Sequence, residues 1–315
     1  MLTDLPDDVV ELLLLWLPLA SLLQIACTSS LFVARARPRL ETALCLHKRC
    51  ALPKRDLVCG KEISLTDQRL GVVGVRQLVD TCKSGGFLSS CEMLHLSGND
   101  LQDAGLAALT ELFAHSDMTG INLLPCCTFL GLHKNEIGNE GLVALSRSLQ
   151  LGCLKHLKVL LLNMNRFGDV GMTALCTAAR AGGALTHLET LSLSANKIGD
   201  RGAASLAVAA AKGHFPAVKW LVLEWNHIGE AGMRHLSDAI TRHDAFPMCT
   251  HGNGLCKMCR VNELMHILLM DNPACPEPVY QAIRRKRLPQ RESSCSTPLL
   301  ASLLLGHRAG LHAGS

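Results

Sequence analysis

Along most of this chain the apolar positions repeat one short phrase. Two aliphatic residues stand two apart, an asparagine follows three positions later, and a glycine-rich bend leads into a run of small apolar residues. The phrase reads LHLSGNDLQDAGLAAL at 94–109, LGLHKNEIGNEGLVAL at 130–145, LLLNMNRFGDVGMTAL at 160–175, LSLSANKIGDRGAASL at 191–206 and LVLEWNHIGEAGMRHL at 221–236. A degraded copy, ILLMDNPACPEPVYQAI, occupies 267–283, and a weaker one, ISLTDQRLGVVGVRQL, precedes them at 63–78 with Gln68 in place of the asparagine. Asn99, Asn135, Asn165, Asn196, Asn226 and Asn272 recur roughly every 30 residues, the mark of a stacked repeat array.

Each copy predicts the same elements. In L-x-L-x-x-N, residues such as Leu191 and Leu193 alternate on a short strand, so both point to one face and bury together. Asn196 comes where the chain leaves the strand. There its amide can satisfy backbone groups that the turn leaves unpaired, and stacked copies form a ladder. Gly199, Asp200 and Gly202 punctuate the bend, and Ala203–Lys212 reads as a small-residue helix packed behind the strand. One such unit cannot bury its own apolar face, so neighbours must stack. These segments resemble leucine-rich repeats of the ribonuclease-inhibitor type, over roughly residues 57–288. The resemblance implies an α/β solenoid, a horseshoe with parallel strands inside and helices outside.

Composition agrees with this picture. The chain is 48% hydrophobic but only 3% aromatic, so the core must be built from Leu, Val, Ile and Ala. The net charge of +4 is modest, and nothing resembles a nucleic-acid footprint. Arg284, Arg285, Lys286 and Arg287 form the one dense basic run, read either as cations complementing a helix C-terminus or as a nuclear-import patch. The 15 cysteines follow no paired framework; as small buried hydrophobes they favour a reduced, intracellular setting over a disulfide scaffold.

Val9–Ala26 is nearly continuous apolar sequence, yet it does not read as a leader or a membrane span. Asp4, Asp7 and Asp8 precede it without Lys or Arg, Glu11 lies inside it and Pro18 divides it. Split there, it becomes two short amphipathic helices, with Asp7 or Asp8 starting the first and Ser21 capping the second. LPDDVVELLLLWLPLASLLQIACTSSLF (5–32) resembles an F-box. Leu5-Pro6 opens it, Trp16-Leu17 matches the aromatic-Leu pair closing the first helix, Ser21-Leu22-Leu23 replaces the usual Asp-Leu-Leu, and Phe32 falls on the terminal aromatic. Thr28-Ser29-Ser30 departs from the Val-Cys-basic pattern common in that family. The resemblance implies docking on the small adaptor of a cullin-type ubiquitin ligase, through Leu5, Pro6, Val9, Val10, Leu13, Leu17 and Leu22. The competing reading is an amphipathic cap over the first repeat's open edge.

The residues between and just after the strand leucines are expected on the concave side, where a partner protein would bind. Among them are His133, Lys134, Asn163, Met164, Ser192, Ser194, Glu224, Trp225, Met270 and Asp271. Trp225 reads either as an interface anchor or as a residue covered by the neighbouring insertion. That insertion lengthens the spacing from Asn226 to Asn272 to 46 residues, and near 243–262 it carries Cys249, His251, Cys256 and Cys259. These four allow a closed, structural zinc site; the other reading is a flexible loop rich in Cys and His. No other cofactor is expected. The chain shows no G-x-S-x-G elbow, P-loop or dinucleotide fingerprint, so an enzyme is not expected.

The expected organisation is an F-box-like helical module at 1–48, repeats at 49–290 and a weakly ordered segment at 291–315. The expected function is that of a substrate receptor of a cullin ubiquitin ligase, cytoplasmic or also nuclear, monomeric outside its complex, and binding neither nucleic acid nor membrane. The alternatives are a free-standing repeat scaffold and a regulator of a small GTPase; for the latter, the acidic tail typical of such repeat proteins is missing from 289–315.

Overall fold

The structure, a computed structural model, describes residues 61–85, 88, 91–113, 124–182, 185–243, 245–246 and 267–285. The F-box-like segment, the Cys249–Cys259 group and residues 291–315 lie outside them. Strands and helices alternate strictly: β1 (Glu62–Ser64), α1 (Gly71–Gly85), β2 (Met93–His95), α2 (Gln102–Thr110), β3 (Phe129–Gly131), α3 (Asn139–Gln150), β4 (Val159–Leu161), α4 (Asp169–Gly182), β5 (Thr190–Ser192), α5 (Asp200–Ala211), β6 (Trp220–Val222), α6 (Glu230–His243), β7 (Ile267–Leu268) and α7 (Glu277–Arg285). The seven strands form one parallel sheet in chain order. Their register pairs like with like, Ile63 with Leu94, then Leu130, Leu160, Leu191, Leu221 and Ile267. This is the α/β repeat architecture the apolar period predicts.

The core lies between the sheet and the helices. The first and second strand leucines of each repeat join the inward faces of the helices in a single apolar cluster. In α3 the inward face is Leu142, Leu145 and Leu149, at the i, i+3, i+7 spacing of a helix stripe. In α5 it is Ala203, Leu206, Ala207 and Ala210, small enough for close approach to the next helix. Each buried leucine contributes about 1.5–3 kcal/mol by leaving water, and stacking lets seven strands share one core.

Two polar ladders fix the stacking. In the first, the Asn165 Oδ1 accepts from the backbone N–H of Asn135 (3.1 Å) and of Ile137 (3.0 Å), in the preceding repeat. Its Nδ2 donates to the Leu132 carbonyl one repeat back (3.1 Å) and to Leu162 in its own (2.9 Å). Asn99, Asn135, Asn226 and Asn272 make variants of the same bridge. Asn196 departs from it: the Nδ2 donates to Leu162 and Leu193, but the buried Oδ1 has no partner.

The second ladder runs along the helix N-termini. The Asp169 Oδ1 accepts from Gly199 N–H (2.7 Å) and Gly202 N–H (2.9 Å), so the carboxylate of one repeat caps the helix of the next. Asp103 does this for Gly138 and Gly141 and Asp200 for Gly229 and Gly232, while the neutral amide oxygen of Asn139 takes the same place for Gly168 and Gly171. Here the glycines have a role other than the expected one. Gly199 is extended (φ −103°), so no left-handed turn requires it. A Cβ on Gly202 would instead meet the Asp169 Oδ1 at 2.7 Å and the Ile198 Cγ2 at 2.8 Å. Glycine is there to let the neighbour's carboxylate in. The same cap starts α5 at Asp200, three residues before the predicted start at Ala203. At the last repeat the ladder stops, because Cys275 and Pro278 stand where the glycines would be and Pro278 has no N–H.

Candidate functional site

The face of the sheet opposite the helices is the surface expected to be concave. Alternation puts three columns there: the residue before each first strand leucine, the residue between the two leucines, and the residue after the second. A fourth column, directly before the asparagine, forms the rim. It is occupied by Asp67, Gly98, Lys134, Met164, Ala195, Trp225 and Asp271, and all seven are left-handed, with φ between 52° and 68°. Their N–H groups explain it: Lys134 donates to the Asn163 carbonyl (3.0 Å), Met164 to Ser194 (2.8 Å) and Ala195 to Glu224 (2.9 Å), each across to the next repeat. Only Gly98 takes this conformation without strain; the others cost about 1 kcal/mol each.

The structure sorts the predicted contact residues by depth. Lys134, Trp225, Met270 and Asp271 are exposed, and His133, Met164 and Glu224 are half-buried. Asn163, Ser192 and Ser194 are buried. They do lie on the open face, but short side chains on strands about 4.8 Å apart sit below their larger neighbours. Trp225 and Met270 stand side by side at 49% and 43% exposed, and the Trp225 N–H bonds the Met270 carbonyl at 3.2 Å. Large apolar side chains this exposed on adjacent repeats are what interfaces use as anchors.

The rim is divided electrostatically. In the earlier repeats a depression of about 560 Å³ is lined by Asp67, Arg69, Asp100, Lys134, Glu136 and Arg166 among others. Its charges answer one another: the Arg166 Nη2 lies 2.6 Å from Glu136 Oε1, and the Lys134 Nζ lies 3.9 Å from Asp67 Oδ1. In the later repeats the rim and the column beside it carry Glu224 and Asp271 with no lysine or arginine from β4 onward.

The floor of the face contains two polar arrangements. The Ser97 Oγ and the His133 Nδ1 are 2.7 Å apart across adjacent repeats. His95 lies against the Phe129 ring, with centroids 4.5 Å apart, and its buried Nε2 makes no hydrogen bond, Glu62 Oε1 standing at 3.4 Å. Burial lowers the His95 pKa below the usual 6.5, partly offset by Glu62. Burial pushes the thiols of Cys91, Cys127 and Cys176 up to about 12, and that of Cys82 further, so these four are held protonated. Cys126 and Cys275 are exposed. Among the described residues no group of three or more His, Cys, Asp or Glu is placed to hold a metal ion, and no helix is long and apolar enough to cross a membrane.

Phe129 is one open-face residue that the sequence reading passed over. Extending the alternation one step before the first leucine would have found it.

A family model described as Leucine Rich repeat matches residues 92–109, 128–146, 153–176 and 184–207. No curated protein matches the chain. The matched stretches coincide with the strand–turn–helix units that carry the two ladders. The chain therefore contains leucine-rich repeats, and these form a protein-interaction module.

Proposed function

We propose that this protein is a substrate receptor of a cullin-type ubiquitin ligase. In this reading the repeats hold a target protein on the open face, and residues 5–32 dock the ligase adaptor through Leu5, Pro6, Val9, Val10, Leu13, Leu17 and Leu22. The chain performs no chemistry of its own; it raises the effective concentration of the target near the enzyme that modifies it. It works inside the cell, and its partners are two proteins, the adaptor and the target. The observation that carries target binding is the exposed Trp225–Met270 pair at the acidic end of the open face. The resemblance of 5–32 to an F-box supports the link to the ligase.

The test uses the full chain and a purified F-box-binding adaptor in a direct binding assay. Binding that Leu5→Ala/Pro6→Ala reduces at least tenfold, with the thermal unfolding of the repeats unchanged, is the expected result. No binding by the unaltered chain, or a variant whose repeats unfold with its N-terminus, would make residues 5–32 a cap on the solenoid. The protein would then be a free-standing scaffold.

A further inference from the structure

The exposed tryptophan of the open face has a carboxylate for a neighbour. Ala195, Trp225 and Asp271 hold the same rim position in three consecutive repeats, about 4.8 Å apart from one to the next. An alanine on one side and a short carboxylate on the other cannot cover an indole, so Trp225 keeps 49% of its surface in water. The Asp271 side chain is exposed and has no ion pair among the described residues. Glu224, the residue before Trp225, carries the same sign close by. Burial raises the pKa of the Tyr280 hydroxyl, and Glu224 and Glu277 add to the rise. That hydroxyl accepts the Leu269 N–H at 3.2 Å, so these carboxylates gather about β7. Lys197 and His227 are exposed as well, but they follow the asparagines and stand off the rim column.

We infer that the target segment held here presents an arginine, stacked on the Trp225 ring and paired with Asp271, with an aliphatic residue beside it on Met270. The inference rests on the reading that the open face binds a target protein, and it adds the chemistry of what is bound. Tryptophan is the aromatic ring that attracts a cation most strongly. A guanidinium is flat, so it covers the ring while its N–H edge meets a carboxylate at the ring's border. Lysine brings a point charge without the flat face. The Met270 side chain, 43% exposed, is flexible and polarisable, and so follows an aliphatic group of varied shape. Asp271 and Glu224 repel an acidic segment. A wholly apolar one would strip water from the Asp271 carboxylate and give it no partner.

The test selects short random peptides, displayed on phage, against the full chain and then measures the affinity of each enriched peptide in solution. Enriched peptides should share an arginine next to an aliphatic residue. Trp225→Ala or Asp271→Asn should weaken each at least fivefold, while Lys197→Gln should change it less than twofold. A second selection uses Asp271→Lys, a side chain that this rim position already accepts at Lys134. There aspartate or glutamate should replace the arginine in the enriched peptides. Peptides that need Trp225 but carry no arginine would overturn the inference and leave target binding at this face standing. Peptides indifferent to Trp225→Ala, or no enrichment at all, would overturn it as well. Adaptor binding, measured on the same protein, reports on the ligase reading alone, so the two can fail separately.

Discussion

A single amide side chain does unequal work in different repeats. Asn165 satisfies two backbone N–H groups with its oxygen, whereas the Asn196 oxygen satisfies none, although both donate to carbonyls on either side of a repeat junction. Removing a partner from a buried polar group costs about 1–3 kcal/mol. Asn165→Ala orphans the N–H of Asn135 and of Ile137 as well as the carbonyls, so it should cost more than Asn196→Ala by about that amount, measured by urea denaturation. His95 supplies the pH-sensitive residue. Burial holds its folded pKa below 6.5, so as pH falls the unfolded chain takes up the proton first. Stability from this site is complete above about pH 6.5 and is lost as pH falls towards the folded value. His95→Gln should therefore lose less stability between pH 7 and pH 5 than the unaltered chain. The asparagine ladder was legible from spacing alone. The left-handed rim was not, because only one of its seven residues is glycine and the demand comes from hydrogen bonds between repeats.

At the scale of the element, each helix from α3 to α6 begins under a side chain from the repeat before it. The G-D-x-G signature is thus a contact between neighbours rather than a local turn, and a single copy cannot reveal that. The coupling is measurable. Gly202→Ala places a methyl group 2.7 Å from the Asp169 carboxylate and should cost about 1–3 kcal/mol. Asp169→Ala leaves Gly199 and Gly202 N–H without their charged acceptor and should cost a similar amount. The two lie in one contact, so the double variant should cost less than the sum, by about 1 kcal/mol in a double-mutant cycle. Full additivity would mean that the Ile198 methyl, not the carboxylate, dictates glycine at 202.

For the whole molecule, the repeats produce a long, shallow face whose shape follows from the ladders and whose chemistry varies column by column. Alternation told which side of the strand Asn163, Ser192 and Ser194 occupy; depth was hidden, because it depends on the size of neighbours 30 residues away. Among the described residues, the large apolar side chains this face exposes are Trp225 and Met270, on the last two repeats. The most direct measurement of the account is quantitative mass spectrometry of proteins co-purifying with the full chain, set beside a Trp225→Ala/Met270→Ala variant of matched thermal stability. The account predicts that the variant keeps the ligase adaptor at full yield and loses a defined set of other proteins at least fivefold. An identical set of proteins with both chains would contradict it, because the open face would then not be where this protein holds its target.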